Sequence, residues 1–92
     1  MVSRSDILDT AKQYVTKDRA AAHGSVEDNF AKIAALWSAY TGFPVSPVDV
    51  GQMMALLKIA RAKGNPGHAD NWIDLAGYAA CTGEIATKEA QP

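Results

Sequence analysis

Cysteine is nearly absent from this 92-residue chain, because Cys81 is the only one. A single cysteine excludes an internal disulfide and a cysteine-based zinc cluster, and it is typical of a reducing compartment. The sequence places no base or cation beside the thiol, so Cys81 is predicted to be a small buried apolar residue. The beginning of the chain also lacks an apolar segment of signal-peptide length. We therefore expect a cytoplasmic protein.

Long apolar runs and a surplus of one charge are missing as well. No uninterrupted apolar run approaches the roughly 20 residues that span a bilayer, so no membrane partner is expected. The formal net charge is -1, whereas a general nucleic-acid binder normally carries a strong basic surplus. Nucleophile elbows, glycine-rich phosphate loops and zinc motifs are also absent. The apolar content of 48% and the charged content of 21% are typical of one soluble globular domain.

No stretch alternates apolar and polar residues as a β-strand does, and four segments instead repeat apolar residues at helical spacing. Capping residues mark the helix starts and glycines mark the ends. The starts are Ser3, Ser25, Ser46 and a residue at or just before Asp70, and the ends are Gly24, Gly42, Gly64 and Gly83. The fold class is therefore all-α, a single four-helix up-and-down bundle. Its ordered core is predicted over about 3–85 and a frayed tail over 86–92, although Ile85 could still dock.

The third helical segment is apolar around more than one face. Its apolar residues are Val50, Met53, Met54, Leu56, Leu57, Ile59 and Ala60. We expect it to be the most buried helix, packed on two sides or placed in a subunit interface. Because a domain of this size is only marginally stable alone, a homo-oligomer is expected. Gly77 in the fourth segment costs a helix about 1 kcal/mol relative to alanine, so a close helix–helix approach is expected there.

The stretch from Leu56 to Ala80 carries most of the unusual chemistry. Asp70 and Asp74 lie one helical turn apart, and their carboxylates could bind Mg²⁺ and act in catalysis. The alternative is that Asp70 is an N-cap and Asp74 a solvated acid of the first turn. Lys58 and Arg61 share a face and could hold a phosphate group. The alternative is charge at a helix C-terminus, or salt bridges to the two aspartates across the turn.

A second polar cluster lies around the predicted join of the first two helices. Arg19, His23 and Asn29 are candidate ligand-binding residues, and Glu27 is a candidate third metal ligand. His23 could equally cap the carbonyl groups of its own helix. His68, in a loop of glycine and proline, is assigned no role.

Aromatic residues complete the set of candidates. Trp37 and Tyr78 could stack on a nucleobase, and Asn71, between the two aspartates, is a further candidate ligand-binding residue. The alternative for aromatics at helical spacing is a place in the core, since each buries a large apolar area. Tyr78 follows Asp74 by one turn, so it is the aromatic expected to line a polar pocket.

Four blocks of the sequence resemble small phage and prophage proteins of unassigned function. The blocks are R-x-x-x-H-G-x-x-x-x-N-F at 19–30, I-A-x-L-W-S-x-Y at 33–40, D-V-x-x-M-M-x-L-L-K-I-A-R at 49–61 and D-N-W-I-D-L-A-G-Y-A at 70–79. The resemblance implies a protein of the bacterial host cytoplasm. It does not by itself imply an activity.

More distantly, the layout is similar to that of the MazG-like all-α nucleotide pyrophosphohydrolases. That resemblance implies an oligomeric helical bundle in which carboxylates on two facing helices hold Mg²⁺. The implied reaction splits a nucleoside triphosphate into a monophosphate and pyrophosphate. Asp70 and Asp74 could match the acidic motif of the later helix, whereas the Glu-x-x-Glu motif of the earlier helix is not present; Glu27 and Asp28 stand at that helix start instead.

The function implied by this resemblance is binding of a nucleotide or another phosphate-bearing small molecule, with or without magnesium-dependent hydrolysis. Two alternatives remain open at this point. One is a non-catalytic oligomeric protein that sequesters a nucleotide or a signalling nucleotide, which the incomplete set of acids favours. The other is a helical protein–protein interaction module.

Overall fold

The computed structural model of the chain describes residues 2–18 and 25–89. Four α-helices follow one another: α1 (Arg4–Gln13), α2 (Val26–Thr41), α3 (Pro47–Gly64) and α4 (Ala69–Glu89). A π-helical turn, Tyr14–Asp18, continues directly from α1. Within these ranges the chain contains helices and no strand, as the sequence predicts.

The three serines that were expected to start helices are all N-caps. Ser3 and Ser46 each form a reciprocal capping box with the aspartate three residues later, and Pro47 occupies the first turn of α3. The hydroxyl of Ser25 accepts a hydrogen bond from the backbone N–H of Asp28 at 3.1 Å. Since the first N–H groups of a helix have no partner within it, these side chains fix where each helix begins.

Two of the predicted helix ends are correct. Gly42 adopts the left-handed conformation (φ 78°) and donates its N–H to Ser38, and α3 ends at Gly64. The prediction that Gly83 ends the last helix is wrong, because α4 continues to Glu89. Ile85, in the following turn, is buried in the core, and its burial, worth about 1.5–3 kcal/mol, offsets the helix cost of Gly83.

The expected end of the first helix near His23 and Gly24 lies outside the described residues. Within the described part, regular α-helical geometry ends at Gln13 and gives way to the π-helical turn. Of the expected frayed tail, 86–89 belong to α4 and 90–92 lie outside the described residues.

The core joins α2, α3 and α4. Its buried residues are Phe30, Ala34, Val50 and Ile85. Trp37, Tyr78 and Cys81 are partly buried against them, and the rings of Phe30 and Tyr78 are stacked with centroids 6.4 Å apart. The core alternative for the aromatics therefore describes Trp37, whereas Tyr78 packs against the core and also lines an apolar cleft. Cys81 is partly rather than fully buried.

Two glycines allow α4 to approach its neighbours closely. A Cβ atom added at Gly77 would lie 3.2 Å from Val15 Cγ1, which confirms the expected close approach at that residue. A Cβ atom added at Gly51 on α3 would lie only 2.8 Å from the Cβ atom of Thr82 on α4. The second crossing is the tighter one, and the sequence did not indicate it.

The single chain covers only one side of α3. Val50, Gly51 and Ala62 are buried, whereas the other side is exposed. Its large exposed apolar residues are Met53, Leu56, Leu57 and Ile59. The side of α3 that was expected to pack against a second neighbour therefore faces solvent in the single chain. No helix in the described ranges is long and apolar enough to cross a membrane.

Candidate functional site

The basic and acidic residues expected around the α3–α4 turn meet in one ion pair. Lys58 Nζ lies 2.9 Å from Asp74 Oδ2. The lysine side chain is 13% exposed and the aspartate side chain 34% exposed. Of the alternatives that the sequence left open for these two residues, the salt bridge across the turn is the one formed.

The turn between α3 and α4 holds this pair in register. His68 donates its backbone N–H to the carbonyl of Asn65 at 3.2 Å. The indole N–H of Trp72 donates to the carbonyl of Pro66 at 2.9 Å. These bonds fix the start of α4 relative to the end of α3, so Asp74 faces Lys58.

Asp70 lies in the first turn of α4, which begins one residue earlier at Ala69. Its Oδ2 atom is 3.8 Å from His68 Nε2, and both side chains are more than half exposed. An exposed pair at this distance contributes little. Asn71, by contrast, is only 7% exposed, so it lies on the buried side of α4. Arg61 is exposed near the end of α3.

The described residues do not offer a favourable set of magnesium ligands at Asp70 and Asp74. No group of three or more His, Cys, Asp or Glu in those ranges is arranged to hold a metal ion. Asp74 already binds the ammonium group of Lys58, and that charge would repel Mg²⁺ at the same carboxylate. Magnesium needs oxygen ligands in near-octahedral geometry, so this donor set does not fit it.

Glu27, the third candidate metal ligand, is in a different ion pair. Its Oε1 atom lies 3.1 Å from Lys88 Nζ, which also lies 3.4 Å from a carboxylate oxygen of Glu84. Hydrogen bonds from its own backbone and from Lys88 lower the pKa of Glu27 below its ordinary value of 4.5. The same contacts with Glu27 and Glu84 raise the pKa of Lys88 above 10.5. Glu27 thus joins α2 to the end of α4.

An apolar cleft brings two of the candidate ligand-binding residues together. It has a volume of about 250 Å³ and is lined by Val26, Asn29, Phe30, Lys32, Ile33, Met54 and Tyr78. Asn29 and Tyr78 were both expected to contact a ligand. Although they come from different helices, both line this cleft. We name this the Asn29–Tyr78 cleft.

Lys32 is the member of the Asn29–Tyr78 cleft that the sequence reasoning missed. It follows Asn29 by three residues on α2, so the two side chains share a face. That spacing was the available signal. Trp37 packs against the core and does not line this cleft, while the candidate residues Arg19 and His23 lie outside the described residues.

A second cavity of about 280 Å³ lies beside the π-helical turn. Its lining residues are Val15, Thr16, Ser25, Val26, Glu27, Ala80, Cys81 and Glu84. Glu27 and Glu84 in this lining both bind Lys88. Their charges are therefore partly neutralised within the chain, and of the two cavities the Asn29–Tyr78 cleft is the better candidate for an anionic ligand.

Comparisons with known proteins show which family the chain belongs to. The family model DUF6378, described as a domain of unknown function, matches residues 6–86. The Gene 55 protein of Mycobacterium phage D29 is 40% identical over 86% of this chain and 52% of its own length. The Gene 55 protein of Mycobacterium phage L5 is 46% identical over 79% of this chain and 47% of its own length.

The chain thus spans about half the length of these phage relatives. The resemblance to small phage proteins of unassigned function is confirmed. No solved structure matches the chain significantly.

Proposed function

Because the chain belongs to the DUF6378 family, whose function is unknown, we propose that it binds a nucleotide or another phosphate-bearing small molecule without hydrolysing it. The binding site of this proposal is the Asn29–Tyr78 cleft. The observation that carries it is the meeting of Asn29, Lys32 and Tyr78 around one apolar cavity. An amide, a cation and an aromatic ring are the groups that read a base, hold a phosphate and support stacking.

The walls of the cleft suit a planar heterocycle. Phe30, Ile33 and Met54 supply apolar surface, and the Tyr78 ring is already stacked with Phe30. The amide of Asn29 can both donate and accept hydrogen bonds, as the edge of a nucleobase requires. The volume of about 250 Å³ is slightly below the range of about 300–1,000 Å³ usual for drug-sized ligands. A base would therefore enter while its phosphates remain outside.

Lys32 is the residue that would meet those phosphates. It is exposed on α2 at the lining of the cleft, and a lysine ammonium binds phosphate as a mobile point charge. Lys58 is less suitable, because its charge is already matched by Asp74 at 2.9 Å. Arg61, exposed at the end of α3, stays a second candidate for phosphate contact.

We also propose that the four α-helices are arranged as in the MazG-like proteins. The support for this arrangement is the order of four α-helices and the acid pair at the start of α4. Since Asp74 binds Lys58, we propose no metal-dependent step. Binding without turnover is therefore the form of the proposal that agrees best with the arrangement of charges.

The binding proposal is tested by calorimetry and thermal shift with nucleoside mono-, di- and triphosphates and with the matching nucleosides. A ligand at 100 times its Kd stabilises the fold by about 2.7 kcal/mol. Lys32→Ala should weaken binding of the phosphorylated ligands by roughly 10- to 100-fold, the worth of one hydrogen bond to a charged group. Binding of the nucleosides should be unchanged.

The matched control is Lys12→Ala, which removes a lysine that is also exposed, from α1. A flat thermal response across all ligands would contradict the proposal, and so would equal losses in the two lysine variants. Release of pyrophosphate from triphosphates with magnesium is measured in parallel. Turnover that Asp74→Ala abolishes would show that the protein is an enzyme, and the non-catalytic proposal would then be wrong.

A further inference from the structure

The exposed side of α3 carries a continuous apolar stripe of Met53, Leu56, Leu57 and Ala60, which we name the outer stripe. We propose that two copies of this chain pair through their outer stripes, with the two α3 helices antiparallel across a twofold axis near Leu56. This pairing is independent of the Asn29–Tyr78 cleft. It would cover the side of α3 that the single chain leaves in solvent.

Helix geometry places the four residues on one face. They are spaced by three and four residues over two turns, and such residues are neighbours on a helix surface. Leu56 is 63% exposed, and the other three are exposed as well. Gly51 and Ala62, two of the buried residues of α3, lie on the opposite side, and the buried Val50 lies at the edge of the stripe next to Leu57. A helix with apolar residues on both sides needs a second packing partner.

The accessible area of the chain leaves room for such a partner. A compact monomer of this mass exposes about 5,200 Å², whereas this chain exposes 6381 Å². The excess of about 1,200 Å² is larger than the roughly 800 Å² that each partner buries in a standard interface. The chain as a whole thus exposes more surface than a compact monomer of its mass, and the outer stripe contributes to that excess.

The charges at the two ends of the outer stripe identify a second copy as the partner. Asp49 lies seven residues before Leu56 and Lys63 seven residues after it, so both charges stand on the face of the stripe. In an antiparallel pair, Asp49 of each copy faces Lys63 of the partner subunit, and this contact occurs twice. A parallel pair would instead bring like charges together, which is unfavourable.

Both end charges can make this contact, although Oδ2 of Asp49 already accepts the capping bond from the Ser46 backbone N–H at 3.0 Å, which leaves its second carboxylate oxygen for the lysine. Asp49 and Lys63 are exposed, and neither takes part in an ion pair between described residues. The stripe is also self-complementary, as a twofold interface requires, since the same patch must bind itself. Leu56, at the centre of the pattern, would meet Leu56 of the partner subunit.

The experiment measures mass by light scattering and sedimentation over a dilution series of the complete chain. We expect a dimer that dissociates on dilution. Leu56→Glu should raise the dimer Kd by about 100-fold or more, because two like charges meet at the axis in water-excluded surroundings. Leu36→Glu is the matched control, since Leu36 on α2 is also 63% exposed and lies off the stripe; this variant should remain dimeric.

Cysteine cross-linking provides a second readout that does not depend on a charged variant. In a Cys81→Ala background, Leu56→Cys should form a disulfide-linked dimer on mild oxidation, because residues on a twofold axis approach each other. Leu36→Cys should not. Lys63→Glu should weaken the dimer more than Lys12→Glu does, and the difference should shrink at high salt.

A monomeric mass at all concentrations would overturn the proposal. A dimer that tolerates Leu56→Glu, or that loses its affinity equally in Leu36→Glu, would also overturn it, because its interface would then lie elsewhere. Circular dichroism of each variant verifies that the helices are retained. Binding of a different protein by a strictly monomeric chain would assign the outer stripe to that protein instead.

Discussion

At the scale of single residues, the pair Lys58 and Asp74 shows what the sequence can and cannot specify. Its spacing placed cations at the end of one helix and acids at the start of the next. Both the ligand-site interpretation and the salt-bridge interpretation use the same residues at the same spacing. Only the distance of 2.9 Å between Lys58 Nζ and Asp74 Oδ2 decides between the two interpretations. That distance depends on how α3 packs on α4.

Removing the carboxylate of this pair should destabilise the fold. Asp74→Ala leaves the mostly buried ammonium of Lys58 without its partner, and the expected cost is about 1–2 kcal/mol. Fully buried pairs lose about 3–5 kcal/mol, but Asp74 is about one-third exposed, and solvent reduces the effect. Lys58→Met should cost less, since it removes the buried charge itself. Urea denaturation measures both changes.

Asp70→Ala is the control for that comparison. Its carboxylate is exposed and lies 3.8 Å from His68, so its loss should change the free energy of unfolding by less than about 0.5 kcal/mol. Equal effects of Asp70→Ala and Asp74→Ala would show that the ion pair to Lys58 is not the source of the stability.

At the scale of secondary-structure elements, helix starts were predicted well and helix ends less well. A start depends on local hydrogen bonds, and a serine followed by an acid three residues later supplies them. An end depends on what the next turn packs against. Gly83 is a good stop in isolation, but the burial of Ile85 carries α4 past it.

Gly51 on α3 and Gly83 on α4 should respond to alanine substitution in opposite ways. Gly51→Ala places a methyl group against Thr82 at a spacing that real side chains do not adopt. We expect a loss of about 1–3 kcal/mol from overpacking, even though alanine favours a helix. Gly83→Ala meets no atom within 4 Å, so it should stabilise α4 by up to about 1 kcal/mol.

Thermal and urea unfolding of the two variants measures this difference directly. The comparison is internally matched, because both changes add one methyl group to a helical glycine. A Gly51→Ala protein as stable as the parent would mean that the two helices can separate at this crossing without loss.

At the scale of the whole molecule, the folded chain is elongated rather than spherical. Its radius of gyration is 14.0 Å, compared with about 12 Å for a compact domain of this length. The sequence predicted an all-helical chain and an excess of apolar surface on α3, because both follow from residue periodicity. It did not predict Lys32 in the cleft with Asn29 and Tyr78, because that grouping requires the packing of α4 against α2.

The pH dependence of overall stability should reveal the ion pair that joins α2 to the end of α4. The pKa of Glu27 is lowered, so its contribution is present above pH 4.5 and is lost as the pH falls through the lower folded-state value. The pKa of Lys88 is raised, so its contribution is lost only as the pH rises above 10.5. Lys88→Gln should therefore lower the Tm slightly at neutral pH.

The Tm curves of the parent and Lys88→Gln should converge in acid, once Glu27 is protonated. Lys12→Gln serves as the comparison, because Lys12 is exposed on α1. This substitution should shift the curve of Tm against pH as a whole without changing its shape at acid pH. A Lys88→Gln deficit that persists below the pH at which Glu27 titrates would assign the effect to packing of the lysine stem instead.

The two tryptophans give this molecule two separate fluorescent reporters. Trp72 is 40% exposed and donates its indole N–H to Pro66 within the α3–α4 turn, whereas Trp37 packs against the core. Emission from Trp72 is therefore more accessible to a dissolved quencher than emission from Trp37, which is partly buried. With one tryptophan replaced by phenylalanine at a time, local opening of the turn can thus be distinguished from global unfolding without attaching a dye to the protein.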